Sequence, residues 1–327
     1  MTPGSSANTD LRRWKPAAAR LARRVGMIAA VLWTAATLGF ATVKLIPGDP
    51  IDILSGGESI VDEGQRQAMA QRFGLDQPLP IQYLRYVQKA LTGDFGESYQ
   101  FRQPVAEVIA EAAGPTLALA TTALTLALLQ AVASALLTAG RGAALRSAAS
   151  SVELLLLSTP VYWVGLVLLA LFSFQLQWFS VLDGQGWAAL LLPAFTLSLP
   201  LAAKLGQVLR DGLEEALAQP FALTVRTRGV SATMLRLRHG LRHAALAAST
   251  LTGTLLAGLL SGSVLTETVF GRPGIGQITL QAIRGRDMPL VLGLVMLSAL
   301  VFVLVNLLVD ALYLLIDPRL RRSAAHD

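Results

Sequence analysis

The sequence has no cysteine and little charge among its 327 residues. Without cysteine the chain cannot form disulfides, use a thiolate as a nucleophile or hold a metal ion through sulfur. Only 15% of the residues are charged and 53% are hydrophobic, whereas a soluble domain carries about 25% charged residues. The scarcity of charge therefore indicates a membrane protein.

Nucleotide-binding and catalytic motifs are missing as well. The glycine-rich turn GRPGIG at residues 271–276 is not followed by Lys-Ser/Thr and does not follow a strand, so it does not match a phosphate-binding loop. His239 and His243 have the i, i+4 spacing of helical metal ligands, but the sequence places no third ligand near them, and zinc needs three or four ligands. We therefore expect no enzymatic activity, no bound cofactor and no metal site in this chain.

Long apolar runs are the main feature that is present. Six runs contain no Asp, Glu, Lys or Arg, and each is long enough to cross a bilayer, which takes about 17–25 residues. Backbone polar groups in lipid must be bonded within their own segment, so the runs are expected to be helices. We predict an all-α integral membrane protein with six transmembrane helices. The runs are residues 25–43, 112–140, 154–182, 184–203, 243–266 and 288–309.

The basic residues set the predicted orientation. Of the 27 Lys and Arg residues, 18 lie before the first run, between the second and third, between the fourth and fifth, or after the sixth. Because positive charge accumulates on the cytoplasmic side, both termini are predicted to be cytoplasmic. The first run is longer than the apolar region of a secretory signal and lacks a convincing cleavage site, so we interpret it as a retained helix. The net charge of +6 reflects this bias and does not indicate nucleic-acid binding.

Five segments follow from these runs. The external segment, residues 47–114, is predicted to hold a helix that ends near Gly74 and a second helix with apolar residues from Ile81 to Leu91. The second, third and fifth membrane helices are rich in small residues, which let helix backbones approach closely. The segments are a basic cytoplasmic N-terminus (1–24), the first membrane helix (25–46), an external helical segment (47–114), a five-helix membrane core with a cytoplasmic loop at 207–243 (115–316), and a cytoplasmic C-terminus (317–327).

The cytoplasmic loop contains an unusually basic stretch. Residues 225–246 hold five arginines and two histidines but no carboxylate. Gly229 is placed to end one helix, and Ser231 to cap the next, where Arg238 and Arg242 share a face. We predict a helix–turn–helix that either lies on anionic lipid or docks onto a soluble partner.

The same stretch carries a family resemblance. FALTVRTRGVSATMLRLRHGLRHAAL, residues 221–246, resembles the cytoplasmic signature loop of ABC-importer permeases of the dipeptide/oligopeptide/nickel group, although Leu223 and Ala247 depart from its pattern. Further segments resemble the group in the same order, so the resemblance covers nearly the whole chain. They are LIPGDP (45–50), GLDQPLPIQYLRYV (74–87), GDFGES (93–98), ETVFGRPGIGQ (267–277), RDMPLV (286–291) and NLLVDALYLLIDPRLR (306–321).

The resemblance implies a type I ABC importer permease fold and the first of two membrane subunits. It implies a second permease, two ATPase subunits that bind ATP and magnesium, an external substrate-binding protein and a location in the bacterial inner membrane. In this family the loop forms a coupling helix seated in the ATPase. We expect the loop arginines to pair with carboxylates there or with lipid phosphates, and the alternative is that they only fix the topology. The residues expected to make this contact are Phe221, Thr224, Arg226, Arg228, Gly229, Ser231, Arg238 and Arg242.

Three polar residues of the membrane helices are further candidates. Glu267 lies at the outer end of the fifth helix, and Asn306 and Asp310 share a face with Tyr313 near the inner end of the sixth. Ionisable residues in membrane segments are functional candidates, so Glu267 is expected to line the pathway or to contact the second permease. For Asp310 a hydrogen bond between helices is the preferred interpretation.

The transported substrate stays open at this point. A stand-alone secondary transporter would need more charges within its membrane helices for ion coupling, so a subunit of a multi-component importer is preferred. Peptide is the first choice and a metal chelate the second, with nickel and glutathione also within the group. The few histidines and the lack of cysteine argue against direct binding of a bare metal ion.

Overall fold

The computed structural model describes residues 7–45, 63–73, 76–179 and 186–316. Within them the regular structure is helical apart from one isolated bridge between Glu97 and Pro104, so the all-α prediction is confirmed. Two π-helical turns, Ala170–Gln175 and Leu235–Gly240, and one α-helical turn, Ala232–Met234, accompany the main helices. The helices are α1 (Ala7–Leu45), α2 (Glu63–Phe73), α3 (Leu79–Thr92), α4 (Val105–Thr138), α5 (Ala143–Ser158), α6 (Val161–Leu169), α7 (Trp187–Ala218), α8 (Pro220–Thr227), α9 (Leu241–Val269), α10 (Ile275–Arg284) and α11 (Met288–Ile316).

Four helices of the described chain are long and apolar enough to cross a membrane, and five if the bent pair α5–α6 is one span. The predicted fifth run, residues 243–266, lies within α9, which is continuous over 29 residues. Six spans and two cytoplasmic termini remain predictions, and the ends at 1–6 and 317–327 lie outside the described residues. The four spans are Ala22–Thr42, Val105–Thr138, Ala189–Ala218 and Met288–Leu307.

The membrane helix predicted over residues 154–182 is bent near its start, and residues 180–182 lie outside the described residues. The chain bends by 98° between α5 and the helical segment Val161–Gln175. Proline has no backbone N–H and forces the residue before it out of the helical region. Thr159, which precedes Pro160, accordingly has φ −90° and ψ 130°, so the helix ends there and restarts in a new direction.

The chain divides into two compact units, the first made of residues 1–108 and 282–303. In this unit α3 lies against the end of α1. The hydroxyls of Thr37 and Tyr83 are 2.7 Å apart, and the ring of Phe40 is 5.4 Å from that of Tyr83. Lys44 donates a hydrogen bond of 2.6 Å to Gln82. The two helices predicted for the external segment are present as α2 and α3, while Gly74 lies outside the described residues.

A buried carboxylate anchors the other part of this unit. Asp287 is fully buried and accepts hydrogen bonds from the Ser98 hydroxyl at 2.5 Å and the Gln100 backbone N–H at 3.0 Å. Its second oxygen accepts from the Leu290 N–H at 3.2 Å and thereby caps the start of α11. One side chain thus fastens residues 98–100 to the first turn of α11. Burial raises the pKa of the neighbouring Tyr99 to about 12, with the Asp287 charge contributing.

Replacing Asp287 by alanine is expected to lower the free energy of unfolding by about 2–3 kcal/mol, because a helix cap and two buried donors lose their acceptor. Asp94→Ala is the matched control, since Asp94 is exposed and, among the described residues, its carboxylate pairs with exposed Lys89 and the Gly96 N–H. Thermal unfolding of the detergent-solubilised chain measures the loss of stability in the Asp287→Ala and Asp94→Ala variants. Equal effects of the two substitutions would show that Asp287 is not an anchor.

The second unit comprises residues 109–281 and 304–327, and its core is built on small residues. One face of α4 is an alanine stripe whose members are fully buried against leucines of α7. A side chain at Gly212 of α7 would place its Cβ 2.9 Å from the Cα of Ala244 in α9. Small residues thus let α7 approach both α4 and α9 closely. The stripe consists of Ala123, Ala127, Ala131 and Ala135.

Candidate functional site

The basic stretch forms the predicted helix–turn–helix. After α7 the chain is extended at Gln219 and enters α8 through Pro220, a favourable first residue because its missing N–H is not needed there. Gly229 has φ +79°, a left-handed conformation that only glycine adopts without strain. Ser231 accepts a hydrogen bond of 3.3 Å from the Met234 N–H. The predicted helix stop and the predicted N-cap are confirmed.

The second helix of this motif differs from the prediction. Residues 235–240 form a π-helical turn, whose i→i+5 pattern is often found at functional sites. The turn directs Leu235 and Arg236 inward, with exposures of 0% and 8%. Met234 and Leu237 are both exposed. An apolar edge is thus available beside the basic residues.

A cavity of about 930 Å³ lies between α8 and the start of α9. The ring of Phe221 stacks on that of His243, with centroids 5.0 Å apart and planes inclined by 23°. The structure therefore brings together Phe221, Arg238 and Arg242, three of the residues predicted to contact a partner. The lining holds two guanidinium groups, two imidazoles and no carboxylate, so the cavity favours anions. The lining residues are Phe221, Arg238, His239, Arg242, His243, Ala245 and Ser249.

The outer face of α8 is free to meet another protein. Ala222 is buried and holds the helix to the chain, while Leu223 is 69% exposed. Thr224, Arg226 and Arg228 are exposed on the same short element. An exposed leucine flanked by arginines is a composition suited to a protein contact.

A buried ion pair between Arg210 and Glu153 joins α7 to α5. Arg210 donates to both carboxylate oxygens of Glu153, at 2.9 and 2.7 Å, and to the Ser150 hydroxyl at 3.3 Å. The two charged side chains are 5% and 6% exposed. Such two-pronged pairing is strong and directional. Sequence analysis missed it: Arg210 was counted with the cytoplasmic basic residues, and Glu153 directly precedes an uncharged run.

Glu267 is buried within the chain. Its carboxylate accepts hydrogen bonds from the Thr116 hydroxyl and the Gly276 N–H, each at 2.7 Å. A Cβ at Gly274 would lie 2.4 Å from that carboxylate, and one at Gly276 would lie 2.3 Å from the Cα of Val264. Close packing around Glu267 thus explains Gly274 and Gly276 of the GRPGIG turn, whereas Gly271 has open space around it and a φ of +62°. Glu267 is 1% exposed, and its role at the pathway or at the second permease stays a prediction.

The other membrane candidates are less defined. Asn306 is exposed on α11, and the side chains of Asp310 and Tyr313 lie outside the described part of the structure. Among the described residues no group of three or more His, Asp or Glu side chains is arranged to hold a metal ion.

Comparison with known proteins defines the class to which these helices belong. Residues 123–322 match the family described as the binding-protein-dependent transport system inner membrane component. The chain is 35% identical over 302 residues to the glutathione transport system permease protein GsiC of Salmonella paratyphi A, covering 92% of this chain and 98% of that one. It is 34% identical over 300 residues to GsiC of Escherichia coli K12, covering 91% and 97%. A crystal structure of an amino acid ABC transporter aligns with a TM-score of 0.49 and 17% identity over 63% of this chain and 93% of that one.

The chain is therefore a membrane permease with several apolar helices. It belongs to the binding-protein-dependent transport system inner membrane component family, among the ABC importer permeases of the peptide/nickel group. The resemblance carried by the basic cytoplasmic loop is confirmed, and that loop lies entirely within the matched region.

Proposed function

We propose that this chain and a second, homologous permease form the pathway by which a short peptide crosses the bacterial inner membrane. An external binding protein delivers the peptide, and two ATPase subunits bind ATP and magnesium and supply the energy. The named function of the relatives supports this substrate class, because glutathione is itself a tripeptide. Glutathione is thus the first substrate to test, ahead of dipeptides, nickel and metal chelates.

The coupling step is assigned to α8. The observation that carries this assignment is the continuity of α7, which runs from Trp187 to Ala218 and is followed after one residue by α8. A displacement of α8 by a bound partner would be transmitted to the membrane helices through α7. The Arg210–Glu153 ion pair would pass it on from α7 to α5. Because a bound partner shifts a conformational equilibrium only if it contacts the two states differently, the docking element needs such a rigid connection.

Co-purification tests the whole proposal. The tagged chain is expressed with the genes that adjoin its own, reconstituted into lipid nanodiscs, and assayed for ATP hydrolysis with the binding protein loaded with glutathione, a dipeptide or a nickel chelate. Recovery of a second permease and an ATPase, with hydrolysis stimulated most by glutathione, is the expected result. A chain that purifies alone and transports unaided would contradict the proposal.

Gly229→Glu is expected to abolish recovery of the ATPase. No atom lies within 4 Å of a Cβ at Gly229, so the effect comes from the backbone: a non-glycine residue at φ +79° costs about 1–2 kcal/mol and re-aims α8. Gly142→Glu is the matched control, because Gly142 is at φ −59° in open space on the same side of the chain. Pull-down yield of the ATPase is the measurement, and loss in both variants would point to charge alone.

A further inference from the structure

Helix α3 presents a row of uncovered apolar side chains. None of its residues is buried, and Leu84 and Leu91 are 65% and 84% exposed. Val87 lies between them on the same face, because residues three or four apart on a helix share a face. These three residues form the apolar row of α3. Contiguous apolar patches on a protein surface mark sites of contact with a protein or a membrane.

The contacts of α3 with α1 place it at the end of a membrane span. The span Ala22–Thr42 lies within α1. Tyr83 reaches into this span, where its hydroxyl is 2.7 Å from that of Thr37. Gln82 instead accepts a hydrogen bond of 2.6 Å from Lys44, which lies just beyond the span. α3 is thus at the depth where α1 leaves the apolar layer.

The chain that follows α3 meets a second span at its start. α3 ends at Thr92, and a few residues later the Ser98 hydroxyl donates a hydrogen bond to Asp287. Asp287 directly precedes the span Met288–Leu307 of α11. The end of one span and the start of another therefore both fix the region of α3, and both lie at a boundary of the apolar layer.

The contacts with α1 also decide which face of α3 points into the membrane. Tyr83, which reaches into the span, is in line with Val87 and Leu91 of the apolar row at steps of four residues. Gln82, which meets α1 outside the span, is in line with the cationic side of the helix, and the helix contains no Asp or Glu. Contact geometry and residue pattern thus agree on one orientation, with the apolar row toward the membrane and the cations away from it.

We propose that α3 lies flat in the membrane interface, with its apolar row at the acyl chains and Arg85 and Lys89 among the lipid phosphates. Both cationic side chains are exposed, and cations on the polar face are typical of interfacial helices. Trp33 and Leu38 of the neighbouring span are 60% and 62% exposed, so α1 offers an apolar surface to the same lipid. The bilayer is thus the partner that covers the apolar row, and it holds the segment after α1 at the membrane surface. The proposal does not depend on which solute is transported.

Spin labelling tests this position, because the chain has no cysteine and single-cysteine variants carry one label each. Leu84→Cys and Leu91→Cys place the label in the apolar row, and Arg85→Cys and Lys89→Cys are matched exposed positions on the opposite face. Labels in the row are expected to be several times more accessible to oxygen, which partitions into lipid, than to a water-soluble nickel chelate. The ratio is expected to be reversed at the two matched positions. Electron paramagnetic resonance in nanodiscs of phosphatidylethanolamine and phosphatidylglycerol measures both accessibilities, for the full chain alone and with the subunits that co-purify with it.

The span of α1 supplies a depth scale for the same measurement. Labels at Trp33→Cys and Leu38→Cys, both exposed on the span, are expected to bracket a gradient from deeper to shallower lipid. The oxygen-to-nickel ratio at Leu91→Cys is expected to match that of Leu38→Cys or to lie on its shallower side. A ratio as high as that of Trp33→Cys would overturn the interfacial position.

Two further results would contradict the proposal. Labels in the apolar row that are as open to the nickel chelate as those at Arg85→Cys and Lys89→Cys would show that the row faces water. Labels in the row that are shielded from both reagents, in either preparation, would show that a protein covers it, such as the second permease. In each case α3 would not lie on lipid, whereas the proposed transport function would be unaffected.

Discussion

Arg210→Ala is expected to destabilise the chain by about 3–5 kcal/mol, because it leaves the Glu153 carboxylate buried and without its cation. The pair is two-pronged, at 2.9 and 2.7 Å, and both side chains are nearly fully covered. Glu153→Ala is expected to be equally harmful for the converse reason. Thermal unfolding in detergent, followed by helix content, measures the loss.

A double substitution provides the internal control. Glu153→Leu combined with Arg210→Met removes both charges and keeps apolar volume, so the stability is expected to return to the wild-type value or above. Arg146→Ala breaks an ion pair whose members are 52% and 30% exposed, and less than about 1 kcal/mol is expected there. If the single Arg210 variant unfolds like the Arg146 variant, the buried pair does not hold α5 to α7.

Gly276→Ala is expected to cost about 3 kcal/mol or more. The added Cβ would lie 2.3 Å from the Cα of Val264 and 2.9 Å from the Glu267 carboxylate, and neither backbone nor a buried, bonded carboxylate can yield freely. Any shift also breaks the Gly276 N–H bond to Glu267, which leaves a buried charge partly unsatisfied.

Gly258→Ala in α9 makes the same chemical change where no atom lies within 4 Å of the new Cβ. It is expected to be neutral or to stabilise the helix by up to about 1 kcal/mol. Unfolding temperature and transport of the reconstituted importer compare the two variants. A Gly276 variant as stable and active as the Gly258 variant would show that α9 and the start of α10 tolerate separation.

Local features of the helix–turn–helix were predictable from sequence. Gly229 and Ser231 act through their own backbone and the next three residues, so their residue types suffice to predict a left-handed turn and an N-cap. Apolar runs likewise predict spans, because lipid demands an uncharged helical segment of a given length. The bend at Thr159–Pro160 had a sequence signal in Pro160, but a proline in a membrane run predicts an irregularity and not its 98° angle.

The sequence by itself determined that the chain is an all-α membrane permease, which family it belongs to and where its basic stretch turns from one helix to the next. These properties depend on composition, run length and short motifs, which act within a few residues. Only the tertiary structure decided that Arg210 is paired inside the protein, that Arg236 is buried with no acceptor for its Nε among the described residues, and that Glu267 is enclosed by Thr116 and two glycines. Those outcomes depend on residues far apart in the chain being brought within a few ångströms.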